Sequence, residues 1–190
     1  MTTETTSSAL TEPRLDADRA DRTWRLWVSD HPIGAALLAG FAATHIATLC
    51  GYFFGGIGLP QFVWPIVNGH VVLPKGSPTA QFFVGELFIH GMDGVVFTLL
   101  FAVAVFPWLG GLFGHRVSAG TNMAKAIIFS LILATISAGF LTPRVYEAGA
   151  GAGFFSFGLG WKVPVAIYVW HLIYGINLGL LYNPLPVRHE

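Results

Sequence analysis

The sequence has few cysteines and few charged residues. Cys50 is the only cysteine among 190 residues, so neither an intrachain disulfide nor a cysteine-rich metal motif can form. Charged residues make up 11% of the chain, and 54% of the residues are hydrophobic. Soluble domains average roughly 25% charged residues. With ten basic and ten acidic residues the formal charge is zero, and no basic stripe is present that would bind nucleic acid. The composition is that of an integral membrane protein.

The signatures of common nucleotide-binding and hydrolytic sites are also missing. The chain contains no Gly-x4-Gly-Lys-Ser/Thr, Gly-x-Gly-x2-Gly, His-Glu-x2-His or Gly-x-Ser-x-Gly motif. The polar first twenty residues lack the apolar core of a secretory signal, so we expect no cleaved signal peptide. The sequence therefore identifies no catalytic residue.

Four apolar segments are long enough to cross a bilayer core of about 30 Å as helices. We predict an all-α integral membrane fold, a four-transmembrane-helix bundle. The predicted spans cover residues 33–54, 82–106, 122–141 and 164–182. Pro107, Pro143 and Pro184 are expected to end the last three spans, because proline cannot continue a helix.

The remaining segments flank one membrane domain, residues 31–186. Residues 1–21 are predicted to be a disordered cytoplasmic tail, residues 22–30 an interfacial amphipathic segment and residues 187–190 a short tail. Seven of the ten Lys and Arg residues fall on the side of the N-terminus. The positive-inside rule then predicts a bacterial-type inner (plasma) membrane location with both termini cytoplasmic.

Two long apolar loops are expected on the outer side, at residues 55–81 and 142–163. Their aromatic content favours loops that lie on the outer membrane face as a surface lid. The alternative is a re-entrant segment that dips into the membrane. Phe62, Trp64 and Trp161 are predicted to anchor them at the interface.

An internal repeat relates the two halves of the membrane domain. The sequence from His90 to Gly94 parallels His171 to Gly175 at an offset of 81 residues, and the first and third spans match at an offset of 87. This pattern predicts a duplicated helical hairpin whose copies are related by an axis along the membrane normal. Chance similarity among small and apolar residues is the alternative.

Three ionisable residues mark the second span. Glu86, His90 and Asp93 are spaced by four and three residues, which places them on one helical stripe. An acid at bilayer depth costs about 2.5–3.5 kcal/mol on insertion scales, so these groups need partners. We predict that they form a metal site, or a proton path, inside the bundle.

Two further histidines, His45 and His171, lie at a depth similar to that of His90. The three are candidate cofactor ligands, with copper, iron or zinc, a b-type haem, or a quinone as the occupant. Predicted supporting residues are polar side chains nearby: Thr48, Tyr52, Tyr174 and Asn177. Alternatively, each histidine bonds a backbone carbonyl or hydroxyl and only holds helices together.

Three functional hypotheses follow. The first is a small multi-pass subunit of a larger membrane complex of redox or oxygenase type, in contact with lipid and with other membrane subunits. The second is a small proton-coupled or small-molecule transporter or channel, in which the same residues bind substrate or move protons. The third is a purely structural accessory subunit with a satisfied polar core.

Overall fold

The computed structural model describes residues 12–147 and 150–186. This part of the chain is helical and contains no strand. Its helices are α1 (Glu12–Asp30), α2 (Pro32–Gly51), α3 (Trp64–Val72), α4 (Pro78–Phe113), α5 (Ala119–Tyr146) and α6 (Lys162–Leu181). Single 3-10 turns at Phe54–Ile57 and Phe154–Leu159 lie in the connections.

Four of these helices, α2, α4, α5 and α6, are long and apolar enough to cross a membrane. They correspond to the four predicted spans, so the prediction of an all-helical chain with four helices long and apolar enough to span a membrane is confirmed for the described residues. Their apolar side chains turned away from the bundle are exposed, as expected for surface that contacts lipid. The duplicated hairpin, the inner-membrane location and the cytoplasmic termini stay predictions.

Two prolines do not end helices as predicted. α4 continues through Pro107 to Phe113, and α5 continues through Pro143 to Tyr146. The backbone is π-helical at Phe101–Val105, just before Pro107, and at Ser137–Tyr146, around Pro143. A π-helical turn bonds residues five apart, which leaves room for a residue that has no N–H and whose ring would clash with an α-helical carbonyl.

The spanning helices are packed in the order α4, α2, α6, α5. α2 contacts α4 on one side and α6 on the other, and α6 packs along α5. Small residues allow the close approach within each hairpin. A Cβ on Gly94 of α4 would collide with the Thr44 hydroxyl of α2, and a Cβ on Gly175 of α6 would collide with the Ser130 hydroxyl of α5.

The fourth side of this arrangement is open over much of its length. α4 contacts α5 through Phe101–Val105 and Phe106–Gly110, and the Gly91–Leu100 part of α4 packs on α2 instead. Between the separated halves of α4 and α5 lies α3, which contacts both. The bundle is therefore closed at one end and wedged apart by α3 at the other.

The first part of α3 is packed against α4 and α5, while Val71 and Val72 at its end are exposed, so the predicted surface lid is wrong for the first part of this segment. A Cβ on Gly69 of α3 would collide with the Gln81 carbonyl of α4, and a Cβ on Gly85 of α4 would collide with the Pro65 carbonyl of α3. Trp64 is only 6% exposed and is not an interface anchor, whereas Trp161 is 62% exposed. The glycines, which lack side chains, let α3 lie backbone to backbone against α4.

α1 docks its C-terminal half against the end of α6. The Trp24 indole N–H donates to the Leu181 carbonyl at 3.0 Å, and the Arg25 Nε–H donates to the Asn183 carbonyl at 3.3 Å. These bonds satisfy carbonyls that a helix end leaves free. The helix begins at Glu12, so residues 12–21 are helical and not a disordered tail. Residues 1–11 and the predicted tail 187–190 lie outside the described residues.

Candidate functional site

The three ionisable residues of α4 point to different neighbours. Glu86 and His90 lie in a π-helical turn, Gly85–His90, and Asp93 lies in the α-helical segment that follows. In the wider π-helical turn, two residues that are four apart in sequence no longer lie on the same face of the helix. As a result Glu86 pairs with His45 of α2, His90 bonds Thr48 and Asn68, and Asp93 faces a cavity.

His90 connects three helices through a fully used imidazole. Its Nε2 lies 2.6 Å from the Thr48 hydroxyl of α2, and its Nδ1 lies 3.3 Å from the Asn68 side-chain nitrogen of α3. The Thr48 hydroxyl donates its proton to the Thr44 carbonyl at 2.9 Å, so it accepts from His90. His90 Nε2 therefore carries the proton, and Nδ1 accepts from the Asn68 amide.

His45 and Glu86 share a proton at the rim of the bundle. The His45 Nδ1–H donates to the Phe41 carbonyl at 2.6 Å, and Nε2 lies 2.7 Å from Glu86 Oε1. Because a carbonyl only accepts, the bond to Glu86 is either imidazolium to carboxylate or neutral imidazole to carboxylic acid. The pair is neutral overall in both forms, which lowers the cost of holding it in the membrane.

A cavity of about 100 Å³ lies between α2, α3, α4, α5 and α6. Four predicted site residues line it: His90, Asp93, His171 and Tyr174. The cavity is also lined by residues that were not predicted for this site, among them Trp64, Asn68, Phe97, Tyr146 and Trp170. His45 and Glu86 are not part of the lining, so the predicted five-residue centre is divided into a cavity and a separate pair.

Several residues that line this cavity carry buried polar atoms without partners. Four buried side-chain atoms of lining residues make no hydrogen bond within the described chain: Thr44 Oγ1, Asn68 Oδ1, Trp64 Nε1 and Trp170 Nε1. Thr44 Oγ1 packs against Gly94, and Trp170 Nε1 lies close to Gly51, so these two atoms sit at helix contacts beside the cavity. An unpartnered buried polar group costs about 1–3 kcal/mol. Such a set in one cavity wall favours an occupant, ordered water or a ligand, that bonds the polar groups facing the space.

His171 presents a free nitrogen to the same space. Its Nδ1–H donates to the Ile167 carbonyl at 2.8 Å, one turn back on α6. The neutral ring then has its lone pair on Nε2, for which the described residues supply no donor. The Trp170 ring lies 5.0 Å from the His171 ring and 5.7 Å from the His90 ring, centroid to centroid, and forms an aromatic wall between them.

Asp93 is the one acidic group in the cavity wall. No lysine, arginine or histidine of the described residues lies within ion-pair distance of its carboxyl group. An acid without a cation inside a membrane domain marks a functional site by default. Asp93 adds one carboxyl group, able to accept or exchange a proton, to the neutral donors and acceptors around it.

The side of the cavity between α4 and α5 is apolar. Phe97 of α4 and Leu133, Ile136 and Leu141 of α5 line this side, where the two helices are not in close contact. Ile136 is 45% exposed.

The predicted supporting residues have different surroundings. Thr48 bonds His90, and the Tyr174 hydroxyl lies 2.7 Å from the Thr98 hydroxyl, which ties α6 to α4 at the cavity edge. Tyr52, just beyond α2, is half-buried; burial and then the Glu86 carboxylate raise the pKa of its phenol. Asn177 donates to the Ile173 carbonyl of its own helix and does not line the cavity.

The metal and haem hypotheses gain no geometric support. Among the described residues no group of three or more His, Cys, Asp or Glu side chains could hold a metal ion. Bis-histidine haem ligation by His90 and His171 would break the bond between His90 Nε2 and Thr48 or that between Nδ1 and Asn68. These hypotheses stay predictions.

Sequence reasoning missed the contribution of α3. Trp64 and Asn68 are four residues apart in a segment interpreted as a surface loop. The available signal was the two glycines, Gly69 and Gly85, that permit its close packing, and a buried polar Asn within an apolar run.

Comparisons with known protein families, with curated proteins and with solved structures find no match to this chain. The function is therefore argued from the geometry of the cavity.

Proposed function

We propose that this chain binds the headgroup of a membrane-soluble quinone in the cavity between α3, α4, α5 and α6. The observation that carries the proposal is a cavity whose wall contains four residues with unpartnered polar atoms and whose side between α4 and α5 is apolar. We take the gap between α4 and α5 as a lateral opening to lipid. A water-soluble substrate has no use for a lateral opening, whereas an isoprenoid quinone diffuses in the bilayer and carries its polar ring at the end of an apolar tail.

The hydrogen-bonding groups suit both redox forms of such a ring. Quinone carbonyls accept hydrogen bonds, and the Trp64 and Trp170 indole N–H groups are donors without partners. Quinol hydroxyls donate, and His171 Nε2 and the Asp93 carboxylate are acceptors. The Trp170 and Phe97 side chains add aromatic surface on which a ring can stack.

The size of the cavity limits how much of a ring it encloses. An enclosed cavity of about 150 Å³ takes up benzene. The cavity here is about 100 Å³, so it encloses one polar edge of a quinone ring, and the rest of the ring with its substituents lies in the gap between α4 and α5. The isoprenoid tail then leaves along the lipid-facing sides of Phe97 and Ile136.

The redox partner is part of the same proposal. The described residues contain no group of metal-ligating side chains, and the chain is largely membrane-embedded. We therefore place the electron-accepting or electron-donating centre in another subunit of a membrane complex, with this chain supplying the quinone site.

Fluorescence quenching tests the proposal. Purified protein is titrated with a short-chain benzoquinone, and quenching of tryptophan emission is followed because Trp64 and Trp170 line the cavity. We expect saturable quenching in the wild type. The Kd should be at least fivefold higher in His171→Leu and in Asp93→Leu, because each substitution removes a polar group that would bond the quinone ring. His31→Leu, at an exposed histidine outside the spans, is the matched control.

Two results would contradict the proposal. The first is quenching that rises linearly with quinone and never saturates. The second is saturable quenching with the same Kd in the wild type, the two cavity variants and the control.

A further inference from the structure

A second cavity lies next to the first on the side of the long loops. It has a volume of about 290 Å³ and is formed by the segment before α3, the end of α5 and the start of α6. Gln61, Thr142, Glu147 and Val163 line it. We call it the vestibule, because Gln61 and Glu147 lie outside the spanning helices.

The vestibule and the membrane cavity share a wall of two aromatic side chains. Trp64 and Tyr146 line both spaces. Their rings are in edge contact, with centroids 5.7 Å apart and planes at 60°. The same pair of aromatic side chains thus borders both spaces.

Polar atoms on both sides of this wall lack protein partners. The Trp64 indole nitrogen is buried without a hydrogen bond, and so is the Thr142 hydroxyl on the vestibule side. Asp93 lies on the cavity side and Glu147 on the vestibule side. Carboxyl groups at the two ends of a passage with unpartnered polar atoms along it are the parts of a proton relay.

We propose that protons pass between Asp93 and the aqueous surface on the loop side through the vestibule, with Trp64 and Tyr146 as the gate. When the two rings move apart and a water enters between them, Asp93 as a carboxylic acid gives its proton to that water and becomes a carboxylate. The hydronium formed passes its proton on toward Glu147. The reverse transfer reloads Asp93. This route would deliver protons to, or remove them from, a quinone bound at Asp93, and in this respect it rests on the proposed function. The passage itself can exist without quinone.

Silver-ion accessibility tests the passage, because Ag⁺ enters narrow aqueous paths and reacts with thiols. Cys50→Ser removes the native thiol, and Ser137→Cys places one thiol in the membrane cavity wall, where Ser137 is 5% exposed. The protein is embedded in lipid nanodiscs, so acyl chains cover the lateral opening. The reaction is quenched at set times, and the remaining thiol is counted by maleimide labelling after denaturation.

We expect Tyr146→Ala and Trp64→Ala each to raise the rate of silver modification at least tenfold, because each removes one of the two rings. Tyr146→Phe keeps the ring and should keep the parent rate. Leu159→Ala changes the vestibule wall without touching the gate, and its effect should stay below twofold. Phe140→Cys, 58% exposed toward lipid, is the matched thiol and should stay unreactive in every background.

The gate would be overturned if silver modified the thiol at the same rate in the parent, Tyr146→Ala and Trp64→Ala proteins. This comparison uses proteins with unchanged melting temperature and size-exclusion profile. A Phe140→Cys thiol that reacts as fast as the Ser137→Cys thiol would also overturn the gate. Quinone titration of the wild-type protein separates the two proposals. Quenching that never saturates, together with gated silver access, removes the quinone site and leaves the passage, and saturable quenching without gated silver access removes the passage alone.

Discussion

Gly94→Ala is predicted to loosen the central helix contact of the bundle. A Cβ on Gly94 would coincide with the Thr44 hydroxyl and would lie 2.7 Å from Thr44 Cβ and 3.1 Å from the Gly40 carbonyl oxygen. Carbon atoms in good contact are about 3.5–4.0 Å apart, so α2 and α4 must separate by on the order of 1 Å. The contact is between backbone and a short side chain, and neither can move aside without the helix.

The magnitude follows from three terms. Overpacking of a tight contact costs about 1–3 kcal/mol. Separation of the helices also strains the hydrogen bond between the Thr98 and Tyr174 hydroxyls, 2.7 Å long, which contributes about 0.5–1.5 kcal/mol. The higher helix propensity of alanine returns up to about 1 kcal/mol. The net loss is about 2 kcal/mol, equivalent to a fall in Tm of roughly 4–8 °C for a chain of this size.

Thermal unfolding in detergent, followed by intrinsic fluorescence, measures this loss. Gly120→Ala is the matched control, since Gly120 is also helical and no atom would lie within 4 Å of its added Cβ. It should leave the Tm unchanged or raise it. A Gly94→Ala protein that melts with or above the wild type would refute the close packing of α2 on α4, and with it the position of the cavity wall.

Substitutions at three further positions test the polar contacts. Thr48→Val removes the acceptor of the His90 Nε2 proton and should cost about 1–3 kcal/mol in unfolding free energy; the reference is Thr135→Val, whose hydroxyl is at the exposed surface. Glu86→Gln should stay within about 0.5 kcal/mol of the wild type in unfolding free energy, because its amide can donate to His45 Nε2. Glu86→Leu cannot make this bond and should lose about 1 kcal/mol. Equal Tm values for the two variants would argue against the bond between His45 and Glu86. Lys125→Met should melt at or above the wild-type temperature, because a buried ammonium whose contacts are the Arg116 carbonyl and the Phe106 ring costs more than an apolar side chain; a large fall in Tm would contradict this.

The spans were predictable from the sequence because membrane helices are specified by length and hydropathy alone. Their ends were less so. Pro107 and Pro143 are strong terminators in soluble helices, but a π-helical turn at each position absorbs them, and no simple sequence rule specifies a π-helical turn. Another π-helical turn, Gly85–His90, turns Glu86 away from the helix face of His90 and Asp93. The predicted common face assumed an unbroken α-helix.

The candidate site was half predictable. His90, Asp93 and His171 line the same cavity, in agreement with their similar depth in the spans. Depth does not determine which side of a helix a residue faces. His45 lies at a similar depth but faces Glu86 at the rim of the bundle. Trp64 and Asn68 could not be assigned from periodicity, because α3 has nine residues and an apolar character that fits a loop on the membrane face equally well. Its burial depends on Gly69 and Gly85, which belong to different segments and meet only in the folded bundle.

The cavity lies where α4 and α5 are held apart. α2 packs closely on α6, whereas α4 contacts α5 mainly through Phe101–Val105 and Phe106–Gly110 among its described segments. α3 has no counterpart of its size in the described part of the connection between α5 and α6, where the 3-10 segment Phe154–Leu159 is kinked at Phe155 and Ser156. By inserting between α4 and α5 it holds them apart, and it supplies Trp64 and Asn68 to the gap it creates. α3 therefore provides both the space and part of its polar lining.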